Sequence, residues 1–217
     1  MRDRVALSRD RILDTALSII DDAGVDGLTM RRLGTEIGVD PMMVYRHFPN
    51  KAAVLDGVME RIWAGVRIDL TSDDAPWQDV LAELMHGLRR SLLVHPRAIS
   101  IVGTRPATGP ELFALMDRFI AMLTAAGMQV DSRSADLLNA LVNYTVGHVL
   151  AEAGDPVGGE ADDQSHLAVL AVHFPHLAAV FNSGWQYDPF RQYDGAVRAM
   201  IAGWPAGRPA EQETADD

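Results

Sequence analysis

Residues 28–55, LTMRRLGTEIGVDPMMVYRHFPNKAAVL, predict two short helices, a tight turn between them and the start of a third helix. The first helix opens at Thr29, whose side chain can accept hydrogen bonds from backbone N–H groups that the first turn leaves unpaired. Leu33 and Ile37 lie four residues apart and therefore share one face of this helix. Gly38 follows where a helix end favours a left-handed residue, so we expect the helix to stop there.

A second helix starts at Asp40-Pro41, an N-cap residue followed by proline at the first helical position. It reaches from Met42 to His47, which is only about two turns. Val44 and Phe48 have the spacing to pack this helix against the rest of the protein, and five side chains point outward: Met42, Met43, Tyr45, Arg46 and His47. Two short helices joined by a glycine turn are typical of the helix-turn-helix, whose second helix lies in the DNA major groove. A helical hairpin that only packs is the alternative interpretation.

The same stretch resembles the TetR (tetracycline-repressor-like) family of DNA-binding regulators. Six residues fall where that family has them: Val39, Tyr45, Phe48, Asn50, Lys51 and Leu55. The resemblance implies an all-α protein with a three-helix DNA-binding head at residues 1–50 and a helical ligand-binding and dimerisation domain at residues 51–204. In the head we expect DNA contacts from Thr29, Arg31, Pro41, Met42, Met43, Tyr45, Arg46, His47 and Lys51.

The net charge of -11 is unusual for a DNA-binding protein, but it is unevenly distributed. Residues 1–51 hold eight Arg and Lys against eight Asp and Glu, whereas residues 52–217 hold 11 against 22. A neutral head can still bind phosphate groups if its basic residues gather on one side. The residues able to do so are Arg2, Arg4, Arg31, Arg32, Arg46 and Lys51, the only lysine of the chain.

The composition describes a globular protein that folds in solution, with 217 residues, 48% of them hydrophobic, and a mean hydropathy of +0.01. The chain has no cysteine, which excludes disulfides, zinc–thiolate sites and thiol catalysis. Residues 1–11 lack the apolar run of a signal peptide, and no stretch approaches the roughly 20 apolar residues that cross a bilayer. We therefore expect a cytoplasmic protein without a membrane partner.

Apolar periodicity predicts further helices on both sides of the helix-turn-helix. A helix over residues 8–23, capped by Ser8 and closed by Gly24, builds the core of the head. A long helix starts at the cap Asn50, runs through Val66 and stops before a polar segment. Other helices are predicted over residues 77–94, 110–126, 132–153, 164–172, 175–181 and from Asp188-Pro189 onward, and residues 205–217 are expected to form a disordered tail.

The helix over residues 132–153 is the most apolar of the chain. On a helical wheel, one side carries Leu137, Leu141, Tyr144 and His148, and the opposite side carries Leu138, Asn139, Val142, Val146 and Val149. A helix apolar on both sides must be covered on both, either inside one core or between a ligand cavity and a second subunit. Following the family, we expect a homodimer whose interface holds Leu137, Leu141, Tyr144, His148, Val197 and Ile201.

The body resembles one branch of the family, the tetracycline repressors, in three segments: WQDVLAELMHGLRRSLLVHP (77–96), GTRP (103–106) and NYTVGHVLAE (143–152). The resemblance implies a cavity for a small molecule. The expected lining residues are Arg67, Leu84, Leu88, Thr104, Arg105, Pro106, Phe113, Met116, Leu138, Asn139 and Val142. Arg105 can bind an acidic or carbonyl group of a ligand or form an internal salt bridge, and Asn139 can bind a ligand or be satisfied by the backbone.

The departures from that branch predict a different ligand. The tetracycline repressors hold a magnesium chelate through a histidine two residues before the GTRP glycine and a glutamate after the valine-leucine pair of the third segment. Here Ile101 and Ala151 stand at those positions, and neither offers a lone pair to a metal or its waters. Leu84 and Leu88 likewise replace an amide and a phenyl ring. We therefore expect a small, largely apolar effector and no metal or cofactor.

No catalytic motif supports an enzyme, because HExxH, GxSxG and a glycine-rich phosphate loop are all absent from the sequence. His173 and His176 can bind a metal beside Asp162 or Asp163, but Pro175 interrupts the helix between them and spacing fixes no third ligand. The predicted function is a ligand-responsive transcriptional regulator, most simply a repressor released from a palindromic operator. The alternative is a helical ligand-binding or scaffold protein without DNA binding. The effector, the operator and the regulated genes are left open.

Overall fold

The computed structural model describes residues 7–70, 72, 74–155 and 174–204, and every regular element in these ranges is helical. The elements are α1 (Arg9–Gly27), α2 (Met30–Ile37), α3 (Pro41–Tyr45), α4 (Lys51–Ala64), α5 (Trp77–Val94), a 3-10 turn (Pro96–Ala98), α6 (Ile99–Thr104), α7 (Pro110–Ala125), α8 (Ser132–Ala153), α9 (Pro175–Asn182) and α10 (Pro189–Gly203). The all-α fold is confirmed. The helix predicted over residues 164–172 and the tail at 205–217 lie outside the described residues. Within the described ranges, no helix has both the length and the apolar character needed to cross a membrane.

Each of the first four helices begins at a side chain that accepts a hydrogen bond from the backbone. The donors are the N–H groups of Arg11 to Ser8, Arg32 to Thr29, Met42 to Asp40 and Ala53 to Asn50. These are the four caps that the sequence predicts, and they satisfy donors of the first turns that have no partner within the helix. Gly24 leaves the helical conformation with a φ of 71°, as expected, but helical turns continue beyond it to Gly27.

The turn between α2 and α3 depends on two glycines. Gly38 has a φ of 80°, a left-handed conformation that glycine adopts without strain, and its N–H donates to the carbonyls of Gly34 and Thr35. A Cβ atom on Gly34 would lie 3.1 Å from the Cα of Pro41. The absence of a side chain at Gly34 therefore lets α3 cross close to α2. Val44 of α3 and Phe48 after it are fully buried in the head.

α4 connects the head to the body. Its first half packs on α1, where Gly57 lies so close to Leu13 that a Cβ there would be 2.6 Å from a methyl group of that leucine. Its second half buries Ile62 and Trp63 in the body. The same helix therefore belongs to the cores on both sides, which suits it to transmit movement.

The prediction that α4 continues through Val66 is wrong, because the helix ends at Ala64. Beyond it, the backbone carbonyl of Arg67 packs on Gly87 of α5, where any Cβ would clash with it. Ser91 of the same helix donates its hydroxyl to the carbonyl of Ile62 at 2.7 Å. Gly65 forms the C-cap of α4, and these contacts with α5 hold the chain beyond it.

α5 is the centre of the body and packs against α4, α7, α8 and α10. Residues 99–104, for which the sequence pattern predicts no helix, form the short helix α6. Neither α6 nor the 3-10 turn before it has a side-chain cap. Burial of Ile99 and Ile101 holds α6 in place instead, so its helical state is a consequence of tertiary packing.

The end of α1 is fastened to the segment between α5 and α6. The Arg97 guanidinium donates to the carbonyl of Asp21 at 3.2 Å and to that of Asp22 at 2.6 Å. His95 Nδ1 lies 2.9 Å from the carboxylate of Asp21. Head and body are thus joined both by α4 and by this polar contact.

Candidate functional site

One face of α3 is exposed to solvent, and the opposite face is buried. The five residues predicted to point outward are all exposed: Met42, Met43, Tyr45, Arg46 and His47. Pro41, also expected at the DNA, is half-buried at the first helical position. The helix stops at Tyr45 instead of His47, so the basic residues Arg46 and His47 lie in the turn that follows. A short helix with one exposed face and one buried face has the form that enters a major groove.

The start of α2 adds Thr29 and Arg31 to this surface. The Thr29 hydroxyl accepts a hydrogen bond from the Arg32 N–H at 3.1 Å, so its oxygen is used as the helix cap. Arg31 is exposed and borders a shallow depression together with Arg32 and Thr35. Arg32 donates back into the head, to the carbonyl of Gly27 at 3.4 Å. No ion pair joins Arg31 to any other described residue, so its charge faces solvent.

Lys51 has a structural partner that the sequence did not reveal. It is half-buried, and its Nζ donates to the carbonyl of Val25 at 2.7 Å, which ties the start of α4 to the end of α1. An ammonium group carries three N–H donors. One bond inside the head therefore leaves two donors for the phosphate contact that we expect of Lys51.

A cavity of about 410 Å³ lies in the body between α4, α5, α7, α8 and the end of α6. Its lining is mostly apolar and is formed by Met59, Trp63, Leu84, Met85, Val102, Gly103, Arg105, Pro106, Ala107, Met116, Phe119, Ile120, Leu123, Leu138, Asn139, Val142 and Asn143. This volume is within the range of small-molecule sites in proteins, about 300–1,000 Å³.

Seven of the predicted lining residues are in this cavity: Leu84, Arg105, Pro106, Met116, Leu138, Asn139 and Val142. Four are not. Arg67 lies beyond the end of α4 and donates to the carbonyl of Ala64 at 2.9 Å, and Leu88 is fully buried in the core. Thr104 turns its hydroxyl to the carbonyl of Ser100 at 2.6 Å, and Phe113 is 54% exposed on the outside of α7.

The predicted lining residues include Met116 of α7 but not Phe119, Ile120 and Leu123 of the same helix or Met59 and Trp63 of α4. Met116, Phe119, Ile120 and Leu123 follow the three- and four-residue spacing of one helical face, and that periodicity was available as a signal. Met59 and Trp63 lie four residues apart in the same way. Their apolar spacing alone cannot distinguish a cavity wall from a filled core, because both need the same face.

Arg105 forms an ion pair with Asp56 of α4. Its Nε and Nη2 donate to one carboxylate oxygen at 2.9 and 2.6 Å, and Nη2 also lies 3.2 Å from the carbonyl of Ala52. Of the two roles left open for Arg105, the internal salt bridge is therefore present. The residue also lines the cavity, so one side chain links the ligand space to α4.

No group of three His, Asp or Glu side chains able to hold a metal ion is found in the described ranges. Ile101 is buried in the core, and Ala151 is exposed on α8 outside the cavity. His176 is exposed at the start of α9, whereas His173 lies outside the described residues.

Part of the predicted dimer interface is wrong. Leu137 and Leu141 of α8 and Val197 and Ile201 of α10 are buried within their own chain, because α8 packs on α5 and α10 through that side. Tyr144 and His148 are half-buried against Tyr193 of α10, with ring centroids 5.8 and 5.1 Å away. The outer side of the α8–α10 pair remains exposed, at Gly147 and Ala151 of α8 and Ala199 and Ala202 of α10. The helical wheel could not reveal this, because it shows which residues share a side and not which side is already covered.

Beneath that pair lies a network of charged and aromatic groups. Arg89 binds both carboxylate oxygens of Glu152, at 2.5 and 2.7 Å from Nη2. The Tyr193 hydroxyl donates to the carbonyl of the cavity residue Met85 at 2.9 Å and lies 2.7 Å from the Thr145 hydroxyl. Burial is the main cause of the raised pKa of Tyr193, so it stays a neutral donor. The network joins α5, α8 and α10 into one rigid unit.

Comparison with known proteins identifies the family. The family model described as "Bacterial regulatory proteins, tetR family" matches residues 12–58, and the one described as "Tetracyclin repressor-like, C-terminal domain" matches residues 71–204. The chain belongs to the TetR family. The resemblance carried by residues 28–55 is thereby confirmed, and with it the helix-turn-helix head of a TetR family transcriptional regulator.

Individual relatives of this TetR family chain are similar over most of its length. An HTH-type transcriptional regulator of Saccharopolyspora erythraea is 33% identical over 214 residues, which cover 93% of this chain and 89% of the relative. The tetracycline repressor protein class C of Escherichia coli is 30% identical over 200 residues, with 91% and 90% covered. The crystal structure of the Streptomyces coelicolor TetR family protein ActR in complex with actinorhodin superposes with a TM-score of 0.74 at 28% identity, covering 92% of this chain and 97% of that one.

Proposed function

We propose that this TetR family regulator is a homodimeric, cytoplasmic repressor without catalytic activity, which leaves a palindromic operator when a small molecule fills the body cavity. The head, residues 1–50, binds DNA, and residues 51–204 bind the effector and form the dimer. The observation that carries the proposal is the exposed face of α3, Met42, Met43 and Tyr45, held over the buried Val44 and Phe48. In a protein that only packs, such a face would be covered.

The dimer follows from the outer surface of α8 and α10. Gly147 and Ala151 on α8 and Ala199 and Ala202 on α10 are exposed there, and small side chains let two helix pairs approach closely. Two-fold symmetry then places two heads on two half-sites, which is why a palindromic operator is expected. Sedimentation at micromolar concentration tests this, and a monomer would contradict both the interface and the palindrome.

The effector acts through differential affinity. A ligand releases DNA only if it binds the released conformation more tightly than the DNA-bound one. α4 carries Met59 and Trp63 on the cavity and Lys51 next to the head, so it is in contact with both sites. The solved complex of ActR with actinorhodin supports a small-molecule effector for a protein of this fold.

A gel shift with DNA from beside the protein's own gene tests DNA binding directly. We expect a retarded band with that DNA at a concentration at which unrelated DNA of equal length and composition stays free. Arg31→Ala should reduce this difference, whereas Arg198→Gln, a change in the body away from the head, should leave it intact. No specific band at any salt concentration would favour a ligand-binding or scaffold protein instead.

A further inference from the structure

The cavity offers a ligand one charge, and it is positive. Among the described residues that line it, Arg105 alone is ionised at neutral pH, and the other polar side chains are the amides of Asn139 and Asn143. These amides lie four residues apart on α8 and therefore share a face. No hydrogen bond joins either amide to another described side chain or backbone group. The polar part of the cavity can thus bind one anionic group and one carbonyl or hydroxyl group.

The Arg105 guanidinium is only partly used by its present partner. Nε and Nη2 both donate to the same oxygen of Asp56, and no described residue accepts from Nη1. A guanidinium has five donors in a planar fork that matches a carboxylate. A second anion can therefore reach Arg105 from the cavity side. Asp56 is then left sharing its cation with a like charge, which weakens its own bond.

The apolar part of the cavity favours a flat aromatic body. Trp63 and Phe119 face it with ring centroids 6.5 Å apart and planes inclined by 47°. Three methionines, Met59, Met85 and Met116, complete this part of the wall. Aromatic rings and thioether sulfurs both make their most favourable contacts with another aromatic ring, and methionine side chains adapt to its outline.

We propose that the effector is a planar aromatic anion, and that its anionic group takes Arg105 away from Asp56. This rests on the proposed function and names the chemistry of its ligand. Arg105 holds the first two turns of α4 through Asp56 and the carbonyl of Ala52. Those turns begin at Lys51, which is itself bonded to the head through Val25. An anion that weakens the Arg105–Asp56 bond therefore frees the part of α4 that adjoins the DNA-reading surface.

The test measures binding to the full-length protein without DNA, by isothermal titration calorimetry. The probes are anthraquinone-2-carboxylate, the neutral anthraquinone-2-carboxamide of almost equal shape, and dodecanoate as an aliphatic anion. The variants are Arg105→Gln and Asp56→Asn, with Arg198→Gln as the matched control. Arg198 pairs with Asp194 at 3.0 Å and Asp79 at 3.1 Å and does not line the cavity.

We expect wild type to bind the aromatic carboxylate about tenfold more tightly than the amide, since a charge-assisted hydrogen bond is roughly twice as strong as a neutral one. Arg105→Gln should remove this preference. Asp56→Asn should tighten carboxylate binding by about threefold to tenfold, because the competing charge is gone. Arg198→Gln should change neither value. Circular dichroism confirms that each variant is folded, and the Asp56→Asn result stands even if Arg105→Gln fails to fold.

Four outcomes would overturn the proposal. The first is that the carboxylate and the amide bind wild type equally, and the second is that the carboxylate shows no binding up to millimolar concentration. The third is that Asp56→Asn leaves carboxylate binding unchanged or weaker, which would mean that Asp56 does not compete for Arg105. The fourth is that dodecanoate binds as tightly as the aromatic carboxylate, which would mean that the cavity does not select a flat ring. Each of them can occur while the protein still binds operator DNA, so they are distinct from a failure of the repressor function, which the gel shift without any probe detects.

Discussion

The head and the body are specified in different ways. α1, α2, α3 and α4 all start at capping side chains, and in the body α8 and α10 do so at Asp131 and Asp188, whereas α5, α6 and α7 start at Pro76, Ala98 and Gly109 without one. Local hydrogen bonds therefore set the start of every head helix, whereas tertiary packing positions α5, α6 and α7 in the body.

The core of the head is also more completely filled than the core of the body. In the head, Ile12, Leu33, Val44 and Phe48 are all inaccessible to solvent, and Gly34 lets two helices approach closely. The body contains a cavity of about 410 Å³ and keeps Phe119 only half-buried beside it. A filled core holds one conformation, whereas an unfilled one leaves room for the ligand that selects another.

Replacing one phenylalanine in each region should change the free energy of unfolding by very different amounts. Phe48→Ala should lower the free energy of unfolding by about 3–5 kcal/mol, because it empties a filled core and removes the ring under the Arg9 guanidinium, 4.4 Å away. Phe119→Ala should cost less than about 2 kcal/mol, because its ring already borders open space. Urea unfolding measures both. Equal losses would mean that the head and the body core are packed alike.

The next comparison concerns ion pairs. Glu152→Gln breaks a pair whose side chains are only 10% and 15% exposed and should destabilise the body by about 3 kcal/mol, because it leaves Arg89 buried without its counter-charge. Asp14→Asn removes the charge that pairs with Arg61 between α1 and α4, where the Arg61 and Asp14 side chains are 37% and 59% exposed, and should cost about 0–1 kcal/mol. Thermal unfolding monitored by circular dichroism measures the difference. A larger loss from Asp14→Asn would contradict it.

The structure of the head can be predicted from the sequence more fully than that of the body. The caps Ser8, Thr29, Asp40 and Asn50 and the glycine turn at Gly38 are local signals, so the head could be predicted from them. The path of the chain after α4 could not, because it depends on Arg67 meeting Gly87 of α5. The dimer residues failed for a similar reason, since Leu137 and Val197 are apolar but serve their own core.

In the candidate site, the residues of the GTRP loop and of α8 were reached through family resemblance. The Arg105–Asp56 pair was not, because no local spacing relates residues 49 positions apart in the chain. Met59 and Trp63 were not among the predicted lining residues, since an apolar stripe at helical spacing serves a cavity and a core equally. The sequence pattern carries no information about contacts between residues that lie far apart in the chain.

Substitutions in the head should distinguish contacts to DNA bases from contacts to DNA phosphates. Arg31→Ala should weaken operator binding by about 1–3 kcal/mol and relax sequence preference, as expected for a base contact. Lys51→Ala and Tyr45→Phe should weaken binding to all DNA about equally, and the lysine change should reduce the salt slope by about one per subunit. Fluorescence anisotropy at several salt concentrations measures these effects.

Lys51→Gln is the matched control for the lysine, because it keeps a donor for the carbonyl of Val25 and removes the charge. It should lose the same salt slope as Lys51→Ala with less loss of head stability. An unchanged slope together with altered base preference would show that Lys51 reads bases instead of phosphates.

A small effect on stability is expected from Glu60, which lies where α4 meets α7. Burial, helped by the charge of Glu111, raises the pKa of Glu60 above its usual 4.5. An acid whose pKa is raised on folding favours the folded state at low pH, and this contribution is lost as pH rises through the raised pKa. Glu60→Gln should therefore raise Tm by about 1–2 °C at pH 7.5. This gain should shrink as the pH falls through the raised pKa, where Glu60 of the wild type takes up a proton, and a gain independent of pH would contradict the assignment.

If filling the cavity releases the head from DNA, a titration of the operator complex should show the release. The complex of the protein with fluorescent operator DNA is titrated with anthraquinone-2-carboxylate and, separately, with tetracycline, each with and without EDTA. Because Ile101 and Ala151 offer no lone pair to a metal ion, we predict that the carboxylate lowers the anisotropy to that of free DNA equally in both buffers. Release by tetracycline that EDTA abolishes would contradict the account, and so would an anisotropy that neither compound changes.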